Sequence, residues 1–265
     1  VKILLEPFTF LYKYRKLLWQ TTKSDIRTKY AGSLLGLVWL FLYPLLLLGA
    51  YAAVYIFIFK VKFQLFNSNE YVLLIFCGLI PFIGFSEALG NGVSSVVSNS
   101  SLIKNTMFPI ELVPVKAVLV SQTTQVAGTI LLLIGLLSFG KWTALLPLFV
   151  FVWVFQILFT LGLIWILSSV NVYARDLQSI TGVLILFLMM ISPIAYTVDM
   201  IPEYLRPFLS LNPIYYLTVS NQNILMLGKL PPTSTFVTLA CFSLATFVLG
   251  YWFFKKMKRV FIDNV

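Results

Sequence analysis

Histidine is absent from this chain of 265 residues, cysteine occurs twice, and only nine residues are acidic. Without histidine, the commonest general base and metal ligand is missing. Cys77 and Cys241 stand far apart and form no Cys-x-x-Cys pair. That argues against a zinc site or a disulfide scaffold, and for two buried small apolar side chains. No paired carboxylates, and no Ser/Lys or Asp/Asp arrangement, fall within the apolar stretches. An intramembrane protease would therefore lack its residues. Residues 1–20 mix charges with aromatics and offer no small-residue cleavage site, so no signal peptide is expected there.

Charge is scarce as well, at 11% of residues, against 60% hydrophobic and a mean hydropathy of +0.94. These values lie outside the range of soluble domains. The charges are also unevenly spaced: residues 34–59 carry none. At roughly 1.5 Å of rise per residue, a helix over that run crosses a bilayer core of ~30 Å. Residues 71–93, 113–139, 143–170, 180–198 and 233–254 are comparably apolar, interrupted only by Glu87 and Lys116 near span ends. The runs are continuous rather than alternating, which excludes a β-barrel. The expected fold class is an all-α membrane protein with six transmembrane helices. It has a cytoplasmic segment over 1–33 and a single membrane domain over 34–265.

The distribution of basic residues orients it. Lys2, Lys13, Arg15, Lys16, Lys23, Arg27 and Lys29 precede the first span, and Lys104, Lys116, Arg175, Lys255, Lys256, Lys258 and Arg259 fall on the same side. Lys60, Lys62, Lys141, Arg206 and Lys229 are left for the other. The positive-inside rule then places both termini in the cytoplasm. A basic face against anionic headgroups accounts for the net charge of +10, and nucleic acid is not an expected partner.

Three segments between and before the spans are unusual. At 100° per residue, Phe10, Leu11, Tyr14, Leu17 and Leu18 share one arc while Lys13 and Lys16 point away. This predicts an amphipathic N-terminal helix in the headgroup plane, followed by a polar, basic return over 21–32. Gly32 and Gly36 form a Gly-x-x-x-Gly that permits close helix contact. Between spans two and three, serines and an asparagine precede Leu102, Ile103, Lys104, Asn105, Thr106, Met107 and Phe108, and Pro109 ends the run. A short cytoplasmic helix ending near Phe108 is expected, its apolar side chains either docking a partner or packing on the spans. Residues 199–228 lie outside before the last span, interrupted by Pro202, Pro207 and Pro213. Asn212-Pro213 reads as a helix cap and first residue. A pair of short helices dipping into the outer leaflet is expected, with an ordinary external loop as the alternative.

One near-motif is a coincidence. Gly135 to Lys141 follows phosphate-loop spacing, but Trp142 stands where the magnesium-binding Ser or Thr is required, and the segment joins two spans. Glu87, Lys116 and Glu111 sit near cytoplasmic span ends, where structural pairing is the better reading than an ion pathway.

The order Arg27-x-x-Tyr30-x-x-Ser33-x-x-Gly36-x-x-Trp39-x-x-x-x-Pro44, then Lys104-x-x-x-Phe108-Pro109-x-Glu111-x-x-Pro114, then Tyr173-x-Arg175-Asp176, Ser192-Pro193-Ile194-x-Tyr196 and Asn212-Pro213 resembles the permease subunit of polysaccharide ABC exporters. Wzm-type O-antigen and TarG-type teichoic-acid permeases are the most similar, and the resemblance covers nearly the whole chain. It implies a homodimer in the bacterial cytoplasmic (inner) membrane that moves a lipid-linked polysaccharide. It also implies two copies of a separate ATPase subunit that bind ATP and magnesium, so this chain is no enzyme and holds no cofactor. The resemblance implies ATPase docking at Leu102, Ile103, Lys104, Asn105, Met107 and Phe108, with a lesser share for residues 12–18. The first and fifth spans are implied to enclose the channel. Sugar C–H faces stack on aromatic rings, which makes Phe41, Tyr43, Tyr51, Tyr55, Phe187 and Tyr196 candidate wall residues, with lipid or helix packing as the alternative for each. External gate helices are implied over Pro202, Tyr204, Pro207, Asn212, Pro213, Tyr215 and Tyr216. Teichoic acid or another amphiphile is an alternative cargo, and an ion-coupled transporter an alternative mechanism.

Overall fold

The computed structural model describes residues 2–58, 67–101, 108–197 and 202–264, with the backbone alone for 2–4, 205 and 259–264. Every regular element among the described residues is helical. Helices α1 (Lys2–Lys13) and α2 (Arg15–Tyr30) precede α3 (Trp39–Ala52), which begins in a 3₁₀ turn and ends in a π-helical turn at Ala53–Ile58. Then come α4 (Ser68–Val93), the single turn α5 (Ser95–Ser98), α6 (Leu112–Ser138), α7 (Leu146–Tyr173) and α8 (Leu177–Ile191). Helices α9 (Arg206–Leu209), α10 (Pro213–Asn221) and α11 (Thr233–Asn264) complete the chain.

Among the described residues, five helices are long and apolar enough to cross a membrane: Gly36–Ile58, α4, α6, α7 and Thr233–Lys258 within α11. The fifth expected span, 180–198, differs. Helix α8 has 15 residues, about 22 Å at the usual rise, and stops at Ser192, whose ψ of 140° is extended. Pro193 explains the stop, because the residue before a proline is pushed out of the helical region. Val198 lies outside the described residues.

Helix α4 is the centre of the bundle. Within its spanning window 83% of residues are buried, against 11% for the first span. Its start is held by the Glu70 carboxylate, which accepts from the Asn67 amide at 3.1 Å. At mid-depth the carbonyl of Pro81 accepts from Gln156 Nε2 of α7 at 2.9 Å, and Gln156 and Gln125 of α6 exchange amide hydrogen bonds at 2.9 and 3.0 Å. Such reciprocal amides satisfy polar groups that lipid leaves unsolvated.

The tightest packing joins α7 to α11. A Cβ on Gly250 would sit 2.1 Å from the Gly162 carbonyl oxygen, and one on Gly162 would sit 2.2 Å from that of Thr246. The two backbones touch because neither glycine holds them apart. Gly32 and Gly36, expected to serve close packing, do not: nothing lies within 4 Å of either added Cβ. Their φ angles are +77° and +49°, so they shape the turn into the first span.

The residues of the expected N-terminal arc are split between two helices, α1 and α2. Phe10, Leu11, Tyr14 and Leu17 are half-buried against the core and Leu18 is buried, while Lys13 and Lys16 are exposed. Residues expected as a polar return are instead the second half of α2, helical to Tyr30. Cys77 is buried as expected, but Cys241 is exposed on α11.

Candidate functional site

Four ion pairs tie the N-terminal helices and α11 to one end of the bundle. Asp25 of α2 meets Lys116 of α6 at 2.9 Å, and Lys258 of α11 meets Glu111 at 2.7 Å. Glu6 of α1 pairs with Lys255, and Lys29 of α2 with Glu87 of α4. The three ionisable residues near span ends are thus each paired, as expected, but with α2 or α11 rather than with one another. Burial around Lys29 works against its charge. The Glu87 carboxylate more than offsets this, and the ammonium's pKa lies above the ordinary lysine value.

Beside the Lys29–Glu87 pair opens a cavity of about 410 Å³. The aromatic rings of Tyr30, Trp39 and Tyr43 line it, with Ser86 and Thr124 as hydroxyl groups and Ile185 of α8 as the facing aliphatic. The Lys29 ammonium also lies 5.1 Å from the centre of the Tyr30 ring.

Further along the same flank, Tyr51 and Tyr55 stand one helical turn apart with near-parallel rings, centroids 6.0 Å apart at 9°. Tyr55 lies in the neighbourhood of Tyr71 and Tyr196. Both of those hydroxyls brace the break after α8. Tyr71 donates to the Ala195 carbonyl at 2.7 Å, and Tyr196 donates to that of Ile191 at 2.6 Å. Asn212 Nδ2 donates to Ser192 Oγ at 2.9 Å while its Oδ1 accepts from the Ile214 amide, so one side chain caps α10 and ties it to α8. Gln222 adds a bond to the Pro193 carbonyl at 2.9 Å.

Among the wall candidates, Tyr51, Tyr55 and Tyr196 thus gather at one end, and Tyr43 lines the cavity at the other. Phe41 and Phe187 are exposed on α3 and α8. Tyr30, Trp39, Glu87 and Tyr71 join the site without having been singled out for it. Tyr30 and Trp39 did stand in the quoted motif, while the roles of Glu87 and Tyr71 required their partners from distant segments. Of the docking residues, Leu102, Ile103, Lys104, Asn105 and Met107 lie outside the described residues. Phe108 is half-buried against the core. Of the gate residues, Pro202, Tyr204 and Pro207 are exposed. Pro213, Tyr215 and Tyr216 are half-buried, and Asn212 is buried. Tyr215 and Tyr216 meet edge-to-face at 5.3 Å. Helix α10 packs against α4, α7 and α11, burying Leu217, Thr218, Ser220 and Asn221. Lys141 of the near-motif pairs with Glu70 at 2.8 Å, and Trp142 is exposed.

A family model described as ABC-2 type transporter matches residues 16–226. The chain is similar, at 31% identity over 258 residues, to the O-antigen export system permease protein RfbA of Myxococcus xanthus. That match covers 96% of this chain and 97% of the relative. Two proteins of the same description from Klebsiella pneumoniae are 29% and 28% identical, each match covering 91% of this chain and 92% of the relative.

Proposed function

We propose that this chain, which belongs to the ABC-2 type transporter family, is the membrane subunit of an ATP-driven exporter of lipid-linked polysaccharide. The observation that carries the reading is similarity along nearly the full chain to permeases described as exporting O-antigen. In this reading two copies form the channel in the cytoplasmic membrane, each crossing six times with both termini inside. Helix α8 serves as the fifth crossing, lengthened by the braced Ser192–Tyr196 turn. Helices α1 and α2 lie in the headgroup plane. Helices α9 and α10 form an external gate.

The uneven cover of the spans supports pairing through α3 and α8. Only 11% of the first span's window is buried, and α8 buries only Thr181. The aromatic flank described above lies on α3, with α8 contributing Ile185 and, past its end, Tyr196. A wall of tyrosines without fixed charge holds sugar rings weakly enough to release them, as a processive polymer requires. Two copies of a cytoplasmic ATPase would bind at residues 102–108 and the N-terminal helices and supply the work, with ATP and magnesium held there. The ion pairs Glu6–Lys255, Asp25–Lys116 and Lys29–Glu87 make α1 and α2 a rigid lever on three different spans.

Deleting the chain in its host should strip the surface polysaccharide and leave the lipid-linked polymer inside, with both restored by complementation. Surface polysaccharide that persists at wild-type level in the deletion would overturn the reading.

A further inference from the structure

The cavity beside the Lys29–Glu87 pair calls for a ligand of unusual balance. Trp39 and Tyr43 show 39% and 46% of their surface, so their rings are presented rather than packed away. The pair itself is mostly covered, with side chains 29% and 18% exposed. A bare anion in the cavity would meet the Glu87 carboxylate, and a bare cation would meet the Lys29 ammonium. An alkyl chain would strip water from both charges and replace none of their hydrogen bonds. A neutral polyol ring avoids all three penalties. Its hydroxyls donate to the carboxylate and accept from the ammonium, Ser86 and Thr124 lie within the same walls, and its C–H face lies on an aromatic ring.

We infer that this cavity is a binding site for uncharged sugar units, stacked on Trp39 and Tyr43 and hydrogen-bonded by Lys29 and Glu87. Its volume of about 410 Å³ falls in the roughly 300–1,000 Å³ range of small-ligand sites. The inference rests on the polysaccharide-export reading for its substrate class. It deepens that reading by adding a recognition point at the end of the bundle opposite the tyrosine group. The site reads sugar rings, not the charged linkage to the lipid, so it engages the polymer along its length.

Saturation-transfer NMR tests this on the full chain in lipid nanodiscs, with methyl glycosides of glucose, galactose, mannose and rhamnose as probes. At least one glycoside should receive saturation on its ring-face protons, and excess inorganic pyrophosphate should leave that signal in place. Trp39→Leu should weaken binding about three- to tenfold by removing the stacking face, and Trp39→Phe should restore most of it. Glu87→Gln should also weaken it, while Phe151→Leu on the exposed face of α7 should not. Absence of saturation for every glycoside, an undiminished signal in Trp39→Leu, or displacement by pyrophosphate would overturn the site. The export reading is tested apart from this by the deletion strain. A chain that binds no glycoside yet is needed for surface polysaccharide loses only the site.

Discussion

At the scale of single residues, the fold depends on places where a side chain is missing as much as on those where one is present. Gly162 and Gly250 bring α7 and α11 into backbone contact, so Gly250→Val would force a branched side chain against a carbonyl at 2.1 Å. We expect a loss of about 3 kcal/mol or more, read as a fall in thermal midpoint of the detergent-solubilised protein. Phe242→Ala, on the exposed side of the same helix, should cost less than about 1 kcal/mol. The Asp25–Lys116 pair has one partner nearly covered and the other 42% exposed, so solvent screens part of its attraction. A double-mutant cycle with Asp25→Ala and Lys116→Ala should give a coupling of at most about 1 kcal/mol. None of these pairings was legible in the sequence. Glu87, Lys116 and Glu111 announced that they needed partners, because charge near a span end does, but the partners lie 58, 91 and 147 positions away. Distance along the chain hides such contacts.

At the scale of elements, long apolar runs were sufficient to locate five of the helices within a few residues, because continuous hydrophobicity over bilayer length leaves no other backbone solution. Helix α8 was not so readable. Its apolar run continues to Val198, and composition alone outweighed the Ser192-Pro193 stop that ends the helix early. The polar stretch of α2 hid its helix for the opposite reason: Thr21, Lys23 and Lys29 resemble a linker, yet Asp25 and Lys29 pair this helix with α6 and α4. Phe108 is half-buried against the core, at the edge of the proposed ATPase-docking segment. Phe108→Asp should leave membrane insertion intact but cut co-purification of the ATPase several-fold, since an unpaired carboxylate would replace an apolar contact. Equal recovery of the ATPase with wild type and variant would remove Phe108 from the docking surface.

At the scale of the whole molecule, a basic end braced by ion pairs stands opposite an end where α8 breaks and α10 is buried. Single-cysteine labelling in cells should reach Lys23, Arg175 and Lys258 only from the cytoplasm, and Asn67, Lys141 and Glu203 only from outside. Reactivity of Asn67 and Lys23 from the same side would contradict the six-crossing arrangement. In the proposed exporter, polysaccharide passes along the flank formed by α3 and α8. The most direct test of this path is a photo-crosslinking amino acid placed at Tyr51 or Tyr55 in cells making the polymer, with a control at Phe242 on the exposed side of α11. A glycan-stained, up-shifted ladder of this chain is expected from the tyrosine positions after illumination, and none from the control. An unmodified chain at both tyrosine positions, in cells whose surface polysaccharide still depends on it, would contradict the account.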